Sequence, residues 1–252
     1  TQGVSSAASD VYKRQVPLSG LLVGAAVGFT SQSVSATNAA SWRGDAVQAQ
    51  IYAGLRAGPW FLDAQLGGAV TEGTARRPVN AYAVTATANL PGNGLGAALR
   101  AGIRLDADGW AVEPGIGVNG LLIQQGSGVE TQGGPVGLSV GGARYGGVQT
   151  VASVRVGRRI ALTETWALEP DLRLGVAYEL GPVQARVSAG FSALGGPVFT
   201  VATPSAGRAS LVAGLRASLD TGTPLRVFAG YDAAVMRNAS AQAVTGGVSW
   251  TW

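Results

Sequence analysis

Apolar side chains alternate with polar or small side chains over ten stretches of the chain. In one stretch, Leu95, Ala97 and Leu99 occupy every second position, while Arg100 and Gly102 occupy the other set. A repeat of two residues is that of a β-strand, whose successive side chains point to opposite faces. The pattern predicts an all-β protein built from these strands. The ten stretches span residues 21–30, 47–56, 60–71, 95–106, 110–122, 148–160, 166–179, 210–219, 225–235 and 243–252.

The lengths of the stretches and of their links favour a membrane barrel. A stretch of about ten residues suits a tilted strand that crosses a membrane, whereas ordinary strands have about 5–6 residues. Short links alternate with long ones, as do the periplasmic turns and outer loops of outer-membrane barrels. We therefore predict an antiparallel up-and-down transmembrane β-barrel with its apolar face toward lipid. The short links are residues 58–59, 106–109, 161–165 and 220–224, and the long links lie around residues 31–44, 72–93, 125–146 and 180–207.

Five of the six tryptophans occur at one end of the predicted strands. Trp60, Trp110 and Trp166 each follow a short link, and Trp250 and Trp252 end the last stretch on the same side. Aromatic side chains concentrate at membrane interfaces, where an apolar ring and a polar edge are both accommodated. We predict that these five residues form the periplasmic aromatic girdle of the barrel.

The polar positions of the strands carry arginines and carboxylates in similar numbers. Since the apolar face is predicted to contact lipid, these charges are expected to face the lumen, where they would form a network of ion pairs. Such a network would stabilise the wall and set the polarity of the pore. The residues are Arg56, Asp63, Arg100, Arg104, Glu113, Arg155, Arg159, Glu169, Asp171, Arg173, Arg216, Arg226 and Asp232.

Composition narrows the chemistry available to the chain. Charged residues make up 13%, compared with about 25% in ordinary soluble domains. The 252 residues contain no cysteine and no histidine, which excludes disulfides, thiol catalysis and histidine-based sites. We find no catalytic constellation and expect no cofactor or metal site. The net charge of +4 comes from scattered basic residues, so we do not expect nucleic acid as a partner.

The first fifteen residues differ from the rest of the chain. Residues 1–15 are polar, show no alternation and contain the only lysine, Lys13. Their sequence resembles adapter-derived sequence translated at the ends of assembled reads. We predict that residues 1–15 are a non-native leader and that residues 16–252 form the barrel domain.

The chain resembles the autotransporter β-domain, the translocator of type V secretion. The resemblance is carried by residues 199–215, by residues 225–232 and by the alternating end of the chain at 243–252. Similar family signatures are the turn at 58–64 and the repeated Trp-Ala-x-Glu-Pro at 110–114 and 166–170.

Several expectations follow from that resemblance. It implies a twelve-stranded barrel in the outer membrane of a Gram-negative bacterium, with outer-membrane lipid around it, and a passenger domain covalently linked upstream. Because only ten strands are recognised, the resemblance implies that the first strands and the passenger are missing from this sequence. It also implies that the barrel-assembly machinery reads a C-terminal signal, matched here by Val244, Val248, Trp250 and Trp252. We expect a monomer that is not an enzyme.

Two alternatives remain open at this point. A small porin-like barrel would show the same alternation and would conduct solutes. A soluble β-sandwich that serves as a binding module would bury its apolar faces between two sheets.

Overall fold

A computed structural model of the chain describes residues 13–18, 20–35, 39–193, 198–203 and 205–250. Within these ranges the protein is built from antiparallel β-strands and two one-turn 3-10 helices, Asn80–Tyr82 and Gly134–Val136. Eleven strands form the wall of one sheet. They are β1 (Lys13–Leu18), β2 (Leu21–Ser35), β3 (Ser41–Ala57), β4 (Trp60–Val79), β6 (Gly92–Ile103), β8 (Trp110–Gln125), β11 (Ala143–Arg158), β13 (Ala167–Glu179), β16 (Ala209–Asp220), β17 (Leu225–Met236) and β18 (Ser240–Trp250).

Seven shorter strands complete the described part of the chain. Three extend or join the wall: β5 (Val84–Asn89), β7 (Leu105–Ala107) and β12 (Ile160–Ala161). Four lie in the long links: β9 (Gly128–Val129), β10 (Leu138–Val140), β14 (Arg186–Phe191) and β15 (Phe199–Ala202).

The wall is an up-and-down sheet in which each strand pairs with its neighbours in chain order. Each of the ten predicted stretches falls on a wall strand, so the predicted all-β architecture is confirmed. The alternation did not predict β1, which pairs with β2 from Lys13 opposite Ala25 to Leu18 opposite Leu21. Three residues of the predicted leader, 13–15, belong to β1, and residues 1–12 lie outside the described ranges.

Two of the predicted long links, residues 31–44 and 72–93, are wrong because β2, β3 and β4 extend into them. The register of β3 with β4 runs without a break from Ala57 opposite Trp60 to Ser41 opposite Arg76. Beyond Thr71 the partner of β4 changes from β6 to β5, and the hairpin closes at Val79 opposite Val84. Where both faces of a strand meet water, the backbone can stay extended without apolar alternation.

The short link at 106–109 shows why these turns are tight. Asp108 and Gly109 have φ angles of 49° and 78°. A two-residue hairpin turn of type I′ requires positive φ at both central residues, and Asp-Gly is a preferred sequence for it. The turn joins β7 to β8 at Ala107 opposite Trp110.

The long links at the other end form a sheet of their own, in the order β15, β14, β10, β9. This outer-loop sheet is tied to the β4–β5 hairpin, where the backbone N–H of Thr131 donates to the carbonyl oxygen of Thr87 at 2.8 Å. Ala86, which is 0% exposed, and Ala88 are buried at this junction. The links are therefore packed against one another.

The two faces of the wall have opposite character. On one face large apolar side chains are exposed, for example Ile51 at 58% and Ile116 at 70%. Within the described ranges no large side chain is fully buried, whereas a sandwich would bury its apolar face against a second sheet. The soluble β-sandwich interpretation is therefore wrong. No helix in the described part of the chain is long and apolar enough to span a membrane.

Candidate functional site: the charged face of the wall

Ion pairs cover the face of the wall opposite the exposed apolar side chains. Of the thirteen charged residues predicted from the sequence, twelve form ion pairs with one another or with two further carboxylates, Asp106 and Asp220. The exception is Arg216. The pairs lie toward the short-turn end of the strands and fall into three groups.

The first group crosses β3, β4 and β6. Arg56 Nη1 lies 2.8 Å from Asp63 Oδ1 across the β3–β4 pair. Arg100 Nη1 lies 3.8 Å from Asp63 Oδ2, so Asp63 is shared by two guanidinium groups. Arg104 extends the group toward the turn, with Nε 3.0 Å from Asp106 Oδ1.

Glu113 is the centre of this group. Glu113 is only 7% exposed. Three guanidinium groups surround its carboxylate: Arg104 Nη1 at 3.2 Å, Arg155 Nη1 at 3.9 Å and Arg100 Nη1 at 4.0 Å. Burying a carboxylate is costly unless cations and hydrogen bonds compensate it. The surrounding arginines therefore account for a nearly buried carboxylate in the wall.

Arg155 continues the group onto β13. Its Nε and Nη2 donate to the two carboxylate oxygens of Asp171 at 2.9 and 2.8 Å. A bidentate pair of this kind fixes geometry as well as charge. Because Asp171 is engaged in this way, Arg216, its partner in the β13–β16 register, has no ion pair among the described residues.

The second group joins β13, β16 and β17 near the turns. Arg159 contacts Glu169 and, at 3.0 Å, Asp220. Arg226 contacts the other oxygen of Glu169. Asp106 and Asp220 lie at the edge of the short links, and their strand parity was the only sequence signal for their place in these groups.

The third group is a single pair that spans an intervening strand. Arg173 on β13 and Asp232 on β17 both lie opposite Gly214 on β16. Arg173 Nη2 reaches Asp232 Oδ1 at 2.9 Å. A Cβ at Gly214 would lie 2.6 Å from that oxygen, so the absence of a side chain leaves room for the pair.

Phe61 also lies on the charged face, among these ion pairs, and was not predicted there. It is 4% exposed, and the guanidinium carbons of Arg56 and Arg100 lie 5.2 and 4.5 Å from its ring centroid. The ring fills space next to Gly102, where a Cβ would lie 2.6 Å from Phe61 Cζ. Cations over an aromatic face are stabilising, so Phe61 supports both arginines.

The part of this face toward the long links carries few charges and lines a cavity of about 810 Å3. Gln48, Gln50 and Asn119 contribute to its wall. Ala26 on β2 and Arg173 on β13 line the same cavity, although five wall strands separate β2 from β13. The sheet therefore curls around this cavity with the polar face on the inside.

Three of the five predicted girdle residues lie at the short-turn end of the apolar face. Trp60, Trp110 and Trp166 are 64%, 44% and 46% exposed. The backbone of Trp250 pairs with Leu225 next to the last short turn, and Trp252 lies outside the described ranges. In the predicted assembly signal, Val244 and Val248 are exposed at 73% and 58%.

At the opposite end, Arg77 fastens the outer-loop sheet to β4. Its Nε and Nη2 donate to the two oxygens of Glu130 at 2.9 and 2.6 Å, and the N–H of Leu138 donates to Glu130 at 2.9 Å. Burial alone would raise the pKa of Glu130, but the hydrogen bonds from Arg77 and Leu138 outweigh it and lower that pKa. The hydrogen bond to Glu130 likewise raises the pKa of Arg77.

Metal-binding clusters are not part of this site. Within the described ranges, no group of three or more carboxylates is arranged to hold a metal ion.

A single curled antiparallel sheet, apolar and exposed outside and ion-paired inside, defines a transmembrane β-barrel of the outer-membrane type. Residues 12–232 match the family described as Autotransporter beta-domain, and the chain belongs to that family. Domains of this family are transport barrels of the Gram-negative outer membrane. No curated protein sequence matches the chain.

Solved autotransporter barrels share the fold. The chain is similar to the translocator domain of NalP from Neisseria meningitidis, with a TM-score of 0.79 and 18% identity over 98% of this chain and 81% of that one. It is also similar to the β-domain of the Bordetella autotransporter BrkA, with a TM-score of 0.64 and 16% identity over 96% and 88% of the two chains. It is similar as well to the transport unit of AIDA-I from Escherichia coli, with a TM-score of 0.58 and 12% identity over 97% of this chain and 80% of that one.

Proposed function

We propose that this translocator barrel lets a covalently linked passenger cross the outer membrane through the space on the concave side of the curled sheet. The observation that carries the proposal is the cavity shared by Ala26 and Arg173. Glutamine, asparagine, small and apolar side chains make up most of its wall, and Arg173, the only charged residue among its described lining residues, is already paired with Asp232. A moving extended chain would meet weak, exchangeable hydrogen bonds there.

In this orientation the charged residues face the lumen and brace the wall. Seven of the pairs join residues on different strands, for example Arg155 with Asp171 and Arg226 with Glu169. Such pairs resist separation of the strands, both of direct neighbours and of β13 and β17, which lie on either side of β16, while a passenger occupies the lumen. Trp60, Trp110, Trp166, Trp250 and Trp252 would then lie at the periplasmic interface, and the long links outside the cell.

The last strand is proposed to carry the signal read by the barrel-assembly machinery. Val244, Val248, Trp250 and Trp252 occupy alternate positions, so one side of the strand is apolar. An extended segment of this kind can add to a sheet edge by β-augmentation. We further propose that the barrel acts as a monomer, carries no cofactor and has no enzymatic activity.

An export assay tests the function directly. A tagged passenger is fused upstream of the barrel, and its appearance at the cell surface is measured by protease accessibility. Asn119→Trp adds a bulky ring to the cavity wall, and Val118→Trp adds the same ring on the apolar face at the neighbouring position.

The two variants must differ for the proposal to stand. We expect Asn119→Trp to slow surface appearance while Val118→Trp leaves it near the wild-type rate, with equal amounts of folded barrel in both. Equal export by the two variants would show that the passenger does not use this cavity.

A further inference from the structure

Four charged side chains lie on the outer face of β3 and β4, immediately beyond the apolar surface. The last apolar row on this face is Val47 opposite Val70, which are 53% and 63% exposed. The next rows toward the long links are charged: Asp45 lies opposite Glu72, Arg43 lies one row further, and Arg76 lies beyond it. The same two strands therefore change from apolar to charged within one row.

These charges differ from those on the inner face. Arg43, Asp45, Glu72 and Arg76 are all exposed. None of the four forms an ion pair with another described residue, whereas nearly all of the inner-face arginines do. Asp45 and Glu72 are also like charges directly opposite each other, an arrangement that destabilises a sheet without a counter-charge. The cluster is charged but not satisfied by its own chain.

The cluster lines a groove of about 770 Å3. Ser33, Thr74 and Asn89 line the same groove and supply hydroxyl and amide groups beside the arginines. Guanidinium groups bind phosphate with parallel N–H donors, and hydroxyl and amide groups hydrogen-bond to sugar hydroxyls. The groove thus combines groups for phosphate with groups for a sugar.

The distance from the girdle places this groove at the outer surface of the membrane. From Trp60 to Val70 the strand advances ten steps of about 3.4 Å, or about 34 Å along its axis. At a tilt of roughly 40° this corresponds to about 26 Å across the membrane, close to the ~25 Å apolar band of outer-membrane barrels. The arginines then lie in the headgroup layer of the outer leaflet.

We propose that this groove binds the phosphorylated sugar headgroup of a glycolipid in the outer leaflet, with Arg43 and Arg76 contacting phosphate. Asp45 and Glu72 would repel a bare phosphate. Mg2+ is commonly held by one or two carboxylates together with phosphate oxygens, so binding is expected to require Mg2+. The inference uses the outer-membrane location of the barrel and does not depend on passenger export.

The test is a binding titration on the folded full-length chain in detergent. The probe is a glucosamine-disaccharide lipid carrying two phosphates, measured by native mass spectrometry with Mg2+ or with a chelator. Its phosphate-free form and inorganic phosphate are the comparison probes. The combined variant Arg43→Gln/Arg76→Gln is compared with Arg158→Gln, which removes an exposed arginine beside Trp110 at the other end of the wall.

We expect the combined variant to bind the phosphorylated lipid roughly tenfold more weakly or worse, the factor that corresponds to about 1.4 kcal/mol. Arg158→Gln should bind like the wild type, and the phosphate-free lipid and inorganic phosphate should bind far more weakly. Wild-type binding by the combined variant, or equal binding of the phosphate-free lipid, would overturn the proposal. Tight binding of inorganic phosphate alone would replace a lipid site by a free-phosphate site.

A second variant tests the carboxylates independently of the arginines. Asp45→Asn/Glu72→Gln removes the repulsion, so the phosphorylated lipid should bind in the presence of chelator as well as in Mg2+. If this variant still requires Mg2+, the proposed position of the phosphate beside the carboxylates is wrong.

Discussion

Arg173 on β13 forms an ion pair with Asp232 on β17 at 2.9 Å, directly across Gly214 on the strand between them. Side chains two strands apart approach each other on the inside of a curled sheet and diverge on the outside. A pair that bridges an intervening strand is therefore a feature of a concave surface. The curvature of the wall therefore brings the side chains of Arg173 and Asp232 together over Gly214.

Two neighbouring positions on β6 test which face meets lipid. Leu99 is 46% exposed on the apolar face, and Ala98 lines the inner cavity. An arginine facing lipid near mid-membrane costs about 2–4 kcal/mol, so Leu99→Arg should lower the stability by that amount, while Ala98→Arg should cost much less. Urea titration of the heat-modifiable folded form in lipid vesicles measures both. Equal losses would contradict the assigned faces.

Glu113 is expected to be the most sensitive carboxylate of the wall. Glu113→Gln removes the negative charge from between Arg100, Arg104 and Arg155, which then repel one another. Since hydrogen bonds to charged groups contribute about 1.5–3 kcal/mol, we expect a loss in that range in the same urea titration. Glu164→Gln, at an exposed residue in a short link, should change stability little. A loss as small as that of the control would show that Glu113 does not hold the arginines together.

Acid should loosen the outer-loop sheet through Glu130. The pKa of Glu130 is lower in the folded protein than in an open loop, where a glutamate has a pKa of about 4.3. The stabilisation is therefore present above that value and is lost as the pH falls through the lower, folded-state pKa. Hydrogen exchange of the Leu138 amide, corrected for its intrinsic pH dependence, should show protection falling over this range.

Glu130→Gln provides the control for that measurement. It should lower the protection of Leu138 at neutral pH and remove the acid-dependent step. A step of unchanged size in the variant would assign the pH dependence to another group.

Removal of residues 250–252 separates recognition by the assembly machinery from intrinsic folding. The deletion shortens β18 and removes two aromatic residues of the proposed girdle, but most of the apolar surface remains. In a chain fused to an upstream passenger, we expect outer-membrane levels in cells to fall strongly while some folding in detergent persists. Wild-type levels in cells would contradict the proposed signal, and equal failure in both assays would indicate general instability.

The wall could be predicted because one face must be apolar along the part of each strand that crosses the membrane. Leu99, Ile116 and Val244 follow the two-residue repeat, and that repeat located all ten predicted strands. The same parity places Phe61 on the charged face. The sequence alone does not explain an apolar residue there, because its role depends on Arg56 and Arg100 lying over its ring.

The outer region was harder to predict from sequence. Strands β9, β10 and β15 have two to four residues each, too few to establish a period. Their pairing depends on contacts between distant links, such as Leu138 on β10 with Phe191 on β14. Arg216 was predicted within the ion-pair network, but the sequence could not show that Arg155 would engage both oxygens of Asp171.

The most direct test of the barrel and its two faces uses single cysteines, since the chain contains none of its own. Val47→Cys and Ile51→Cys replace exposed residues of the apolar face of β3, and Gln48→Cys and Gln50→Cys replace residues that line the inner cavity. Each variant is folded into lipid vesicles and tested for labelling by a water-soluble maleimide and for quenching of an attached fluorophore by brominated lipid. We expect strong quenching and slow labelling at Val47 and Ile51, with the reverse at Gln48 and Gln50. Equal behaviour at all four positions, or quenching confined to Gln48 and Gln50, would contradict it.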